Sequence, residues 1–239
     1  MKITLRHTIF VTALLVSGCG VFASYPTFRY RLQVEVETPL GVRAGSSVIE
    51  VSCSSSNTGI GWASGSKCNV KGEAVAVDLG GSKTMFALLT RPGYPEGAES
   101  YAFDAFLSDR SIHDNAAMVD ILKAQSGVAA LPRQHRSSDG GRPDNSPPTA
   151  YPMLVTFKNL ANPKSVVAVD PDHLDSTFGP GNRLKRITVQ MTEDSVTNGI
   201  EKRLRWLGTS VTGYLDGQFA GGGPALSNIL DTTSFKQSN

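Results

Sequence analysis

The chain has 239 residues, 40% of them hydrophobic and 18% charged, which suits one packed domain and argues against a wholly disordered chain. Its 24 glycines and 13 prolines favour many turns over long helices. The formal net charge is +2, and Lys2 and Arg6 account for the whole excess of 23 basic over 21 acidic side chains. The remainder is neutral, offers no electrostatic footprint for nucleic acid, and holds no apolar run of membrane-spanning length.

The first eighteen residues have the zones of an export signal. Lys2, Arg6 and His7 form a basic head, and Ile9 to Val16 form an apolar stretch too short to serve as a bilayer anchor. Ser17 and Gly18 then stand directly before Cys19. Leu15-Val16-Ser17-Gly18-Cys19 resembles the lipobox of bacterial lipoproteins. That resemblance implies a diacylglycerol on the Cys19 sulfur, cleavage before it, and acylation of the new N-terminus. Two or more acyl chains anchor stably where one binds only marginally. The alternative is an ordinary secretory signal cut elsewhere, with Cys19 incidental. Gly20 follows Cys19, and no aspartate stands in the next few positions. In enterobacterial lipoproteins an aspartate there retains the protein in the inner membrane, so the resemblance points to the outer membrane, facing the periplasm. Residues 19–27, with Pro26, read as an acylated tether.

Residues 28–207 read as a single α+β domain, mainly antiparallel sheet with one or two short helices. Phe28 to Thr38 alternates without a fault: Phe28, Tyr30, Leu32, Val34 and Val36 take one face, Arg29, Arg31, Gln33, Glu35 and Glu37 the other. This is the period of a half-buried strand. Pro39 to Gly45 reads as a turn and Ser47 to Cys53 as a returning strand. Cys53 and Cys68 are the only other cysteines, and an exported pair is expected to form a disulfide. Closing a loop of that length contributes about 3 kcal/mol on the chain-entropy estimate. Lys71 to Leu79 and Lys83 to Thr90 continue the strands.

Gly97 to Leu107 has mixed spacing that fits strand or helix. Asn115 to Gln125 reads as a helix with Asp114 as its cap and Gly127 as its stop. The polar, proline-rich stretch 134–149 reads as a mobile loop. Strands are expected at Tyr151–Phe157, Ser165–Val169 and Leu184–Met191. Asp170 and Pro171 are placed to start a helical turn that runs to Phe178 and stops at Gly179. Ile200 to Leu207 fits a short helix or a last strand. Residues 208–239 hold only scattered apolar side chains and read as a disordered tail.

Two stretches, Tyr30 to Val51 and Tyr151 to Leu207, carry the runs Pro-Met-Leu-Val-Thr-Phe, Val-Asp-Pro-Asp-His-Leu and Phe-Gly-Pro-Gly-Asn-Arg-Leu-Lys-Arg-Ile-Thr. These resemble a group of proteobacterial proteins with no assigned activity, so the resemblance brings no catalytic residue.

Candidate chemistry is sparse. Ser64-Gly65-Ser66-Lys67 matches the S-x-x-K of penicillin-interacting enzymes, but neither S-D-N nor K-T-G accompanies it. Gly80-Gly81-Ser82-Lys83-Thr84 has only the Lys-Thr end of a phosphate loop. Asp170, Asp172, His173 and Asp175 are the densest set of ligand-type side chains, without the spacing of a calcium loop. They read as a capped turn, and no metal or cofactor is expected. Arg183, Lys185 and Arg186, with Lys202, Arg203 and Arg205, are expected to pair within the protein, with lipid headgroups or peptidoglycan carboxylates as the alternative partners. The reading is a lipid-anchored cell-envelope protein with a non-catalytic binding or structural role. Its partners are the membrane, through Cys19, and an envelope protein or peptidoglycan. The rival is a periplasmic hydrolase with a site near His113 or Asp170 to Asp175.

Overall fold

The computed structural model describes residues 21–57, 65–107, 115–134, 149–208, 213–219 and 221–238. Cys19, His113, the expected cap Asp114, Ser64 and most of the 134–149 loop lie outside them.

The alternating run forms β2 (Phe28–Thr38), with all five of its apolar side chains buried. It pairs along its whole length with β3 (Gly41–Asn57), from Phe28↔Val51 to Thr38↔Gly41. The turn is therefore only Pro39-Leu40, shorter than the residues suggest. The Thr38 hydroxyl closes it, donating to the Gly41 carbonyl at 2.7 Å and accepting the Leu40 amide at 3.2 Å. Gly41 to Gly45 is strand. Gly45 serves sheet packing rather than a turn, because a Cβ there would lie 2.2 Å from the Ala76 carbonyl oxygen of the opposing sheet.

On its other side β3 pairs with β4 (Gly65–Glu73), and Cys53 and Cys68 face each other in that register as a disulfide. Part of the expected tether is also strand. β1 (Val21–Ser24) pairs with Ser54–Asn57, and the opposite edge of Ser54–Ser56 meets β4. It thus continues the line of β2 across a break at Pro26, which has no N–H to give to a ladder. β12 (Arg183–Met191) and then β9 (Val128–Ala130) extend the sheet beyond β2, and β13 (Lys236–Ser238) extends it beyond β4. All seven strands pair antiparallel.

The stretch read as one strand from Lys71 to Leu79 divides between two sheets. β4 ends at Glu73 and β5 (Val75–Gly80) begins a four-stranded antiparallel sheet with β6 (Lys83–Ala87), β10 (Leu154–Phe157) and β11 (Val166–Ala168). Ala74 at the crossing donates its amide to the Phe235 carbonyl at 2.8 Å. A short hairpin, β7 (Thr90–Arg91) and β8 (Tyr94–Gly97), follows β6. The helices are short: α1 (Tyr101–Phe106), α2 (Asn115–Lys123) and α3 (Leu174–Phe178). The ambiguous stretch 97–107 is thus largely helix, and Ile200 to Gly208 forms two short 3-10 turns.

The larger core lies between the sheets. Tyr30, Leu32, Val34, Ile49, Ile187 and Val189 meet Val75, Val77, Met85 and Leu89, with Tyr101 of α1 and Leu122 of α2 closing the side. A second core covers the other face of the small sheet, where Phe86, Leu88, Val155 and Phe157 pack on Leu204, Trp206, Leu215, Leu230 and Phe235. The described part of 208–239 is therefore folded, not a loose tail. It lacks a helical or strand period because it is held by isolated contacts: Leu215 donates to Leu230 at 2.8 Å, and Asp231 caps the 3-10 turn Thr232–Ser234. No helix among the described residues is long and apolar enough to cross a membrane.

Candidate functional site

The acidic turn is built by its own hydrogen bonds. Asp170 accepts the Asp172 amide through Oδ1 at 2.9 Å and contacts His173 Nδ1 through Oδ2 at 3.0 Å. The helix starts later than Pro171: α3 begins at Leu174, after a turn closed by the His173 amide on the Asp170 carbonyl at 3.1 Å. The Asp170 side chain accepts the Asp172 amide as a cap would, but the residues after Pro171 form a separate turn and the helix begins three residues later. Asp172 pairs with Arg133, whose guanidinium also lies 5.2 Å from the Tyr151 ring centre.

The Asp172 amide first, and then His173, hold the Asp170 carboxyl below its usual range. The same Asp170 contact raises the His173 imidazole above the ordinary 6.5. Both groups are exposed, so the pair is an oriented surface histidine and not a desolvated base. Any stability it lends is complete below the ordinary histidine value and is lost as pH rises through the raised one. The His173 ring resonances are expected to titrate with a midpoint above that of an unstructured histidine. In Asp170→Asn the midpoint should fall back towards it; an unchanged midpoint would refute the contact. Among the described residues no three His, Cys, Asp or Glu side chains are grouped to hold a metal ion.

Arg183, Lys185, Arg186 and Arg203 pair with β-strand carboxylates rather than with this turn. Arg186 and Glu35 are register partners on β12 and β2, with bonds of 2.9 and 2.7 Å, and Lys185 adds a contact at 3.3 Å. Arg186, opposed by burial and aided by Lys185, holds the Glu35 carboxyl down. Arg183 reaches Glu37 at 3.3 Å and Arg203 reaches Asp78 at 3.9 Å. The residues resembling a phosphate loop are the β5–β6 hairpin turn, with Gly80, Gly81 and Ser82 at positive φ, and Lys83 Nζ donates to the Phe178 carbonyl at 2.7 Å.

Another place has the shape of a binding site. A cavity of about 350 Å³ opens between the β7–β8 hairpin, Met153 and the C-terminal segment. Tyr94, Met153, Leu226 and Leu230 give it apolar walls, with Thr90 and Asp231 as polar points. Backbone bonds hold its frame: Met153 donates to the Thr90 carbonyl and Leu89 to the Ser234 carbonyl, both at 2.9 Å. Asp231 Oδ1 accepts from the Ser234 amide at 3.1 Å and from the Thr233 hydroxyl at 2.7 Å. The Thr90 hydroxyl, on a residue only 5% exposed, has no hydrogen-bond partner in the protein. Leaving such a group unpaired costs about 1–3 kcal/mol, and because the oxygen itself is buried it lies within the wall and does not open into the cavity.

Arg91, next in the chain, forms a buried ion pair with Asp104 of α1, and its guanidinium lies 5.1 Å from the Tyr101 ring centre. The Tyr101 hydroxyl in turn donates to the Thr90 carbonyl at 3.0 Å. Burial raises the Tyr101 and Tyr30 phenols far above the ordinary value, so both stay neutral hydrogen-bond donors. This constellation keeps the β7–β8 hairpin rigid from behind. Nothing in the spacing of residues 88–104 announces it, and the opposite wall comes from residues 214–234, far along the chain. Two tyrosines and a lone arginine between apolar residues were the only available signal. Comparison with protein-family models, with curated proteins and with solved structures finds no match to this chain.

Proposed function

We propose that the protein is a lipid-anchored component of the bacterial cell envelope whose folded domain binds a ligand without transforming it. The observation that carries the binding role is the cavity between the β7–β8 hairpin and the C-terminal segment, with apolar walls and Asp231 as a polar point. Such a site suits an apolar body with one hydrogen-bonding group. The rival hydrolase reading has less support, since Asp170 and Asp172 are engaged in holding the turn and its Arg133 contact, and His173 faces water. The anchoring role rests on the lipobox-like Leu15 to Cys19, with the outer membrane as its address.

Ile229 lines the cavity yet is 55% exposed, so enlarging it narrows the mouth without disturbing the core. The wild-type domain is expected to bind anilinonaphthalene sulfonate at one saturable site. Ile229→Trp should bind it about tenfold more weakly, a change of about 1.4 kcal/mol, with the same melting temperature. Equal binding by both proteins, or none by the wild type, would overturn the cavity as the binding site.

A further inference from the structure

We propose that the domain is held directly against the lipid surface by the end of the large sheet where β1 meets β3, with the Pro39-Leu40 turn directed away from the bilayer. This rests on the reading of Cys19 as the acylated residue. β1 pairs with β3 from Val21↔Asn57 to Ser24↔Ser54, and the Tyr25 amide adds a bond to the Cys53 carbonyl at 3.0 Å. Position 19 is two residues before Val21, a reach of at most about 7 Å for an extended chain. A free tether would let the domain tumble above the membrane; a strand that starts this close to the anchor does not.

The pairing also sets direction. β1 is antiparallel to β3, so the anchored chain enters at the Asn57 end of a strand whose other end is Gly41. Seventeen residues of strand span about 50 Å, so the Pro39-Leu40 turn is carried to the far end of the sheet. The arm at the near end is stapled. Cys53 and Cys68 join β3 to β4 immediately before Ser54–Asn57, so the edge on which β1 docks is covalently braced. Its chemistry suits headgroups: the described residues at this end, Cys53–Asn57 and Gly65–Cys68, include no acidic residue, several hydroxyl residues and one cation, Lys67. A negative lipid surface would repel carboxylates there and accept a lysine. At the distal end the exposed Leu40 and Val42 stand clear of the membrane, available to the envelope space.

The test uses the full chain expressed in a bacterium that processes lipoproteins. A photoreactive benzophenone side chain is placed at Asn57, the register partner of Val21, and in a second protein at Leu40. After illumination of isolated envelopes, phospholipid is expected on the position-57 protein at no less than about ten times the level on the position-40 protein. Inserting ten Gly-Ser residues between Gly20 and Val21 should abolish the lipid adduct at position 57 while leaving the protein membrane-bound. Comparable adducts at 57 and 40, or an adduct at 57 that survives the insertion, would overturn the proposal. Fatty-acid labelling of the same proteins separates the two readings. A wild type labelled no more than Cys19→Ala refutes the anchor itself, whereas a labelled protein without adducts at position 57 refutes only the orientation.

Discussion

Asp104→Ala is expected to cost about 3–5 kcal/mol of folding stability, because it removes the direct ion-pair partner of the buried Arg91 guanidinium and leaves only the weaker influence of Glu99. The two side chains are 4% and 1% exposed, and the Arg91 Nε already lacks a hydrogen-bond partner. The Tyr101 face, 5.1 Å from the guanidinium, compensates by no more than about 2 kcal/mol. Against a total stability of about 5–15 kcal/mol this is a large fraction. The cost arises from burying a charge that has lost its direct partner rather than from a large gain by the pair. Arg91→Met with Asp104→Leu should therefore recover most of the loss, since apolar replacement of a buried ion pair is often neutral. Urea denaturation with the disulfide intact measures both. A loss below about 1 kcal/mol for Asp104→Ala would show that the pair is solvated, contrary to its burial.

Phe235→Ala is expected to cost about 3–5 kcal/mol, as large-to-small changes at fully buried aromatic positions do. Its ring is 0% exposed and lies 5.4 Å from Trp206, 5.8 Å from Phe157 and 6.4 Å from Phe86. Removing it opens the second core at its centre and loosens the carbonyl that accepts the Ala74 amide at the crossing between the sheets. Phe219, in the same C-terminal stretch, is 82% exposed, and Phe219→Ala should stay within about 0.5 kcal/mol. A disordered tail would make both replacements silent, so equal and negligible effects in thermal denaturation would refute the packed C-terminus.

The consequences reach the candidate site. Leu230 and Ser234, which line the cavity, precede Phe235 within the same C-terminal run, and Leu89 donates to the Ser234 carbonyl. A loosened second core therefore enlarges and softens the cavity. Phe235→Ala should lower ligand-probe affinity along with stability, whereas Ile229→Trp lowers affinity alone.

The residues by themselves determined the elements that depend on local rules. The unbroken alternation of Phe28 to Thr38 required a half-buried strand, because a period of two places every apolar side chain on one face. Ala116 to Leu122 carried a helical period that α2 follows, and Leu184 to Met191 an alternation that β12 follows. Cys53 and Cys68 were the only pair left for a disulfide, and the β3–β4 register brings them face to face. Tertiary structure decided the rest. Gly41 to Ser46 is strand because β2 offers a ladder to pair with, although its glycines and polar residues suggest a turn. The division of Lys71–Leu79 at Ala74 depends on Phe235, more than 150 residues away, accepting the Ala74 amide. The C-terminal stretch shows no period because its buried residues Leu215, Leu230 and Phe235, at irregular spacing, enter the second core over the small sheet, a demand that exists only once that sheet has formed. The cavity follows the same logic: its walls come from β7–β8, Met153 and residues 214–234, and only packing brings segments so distant in sequence to one place.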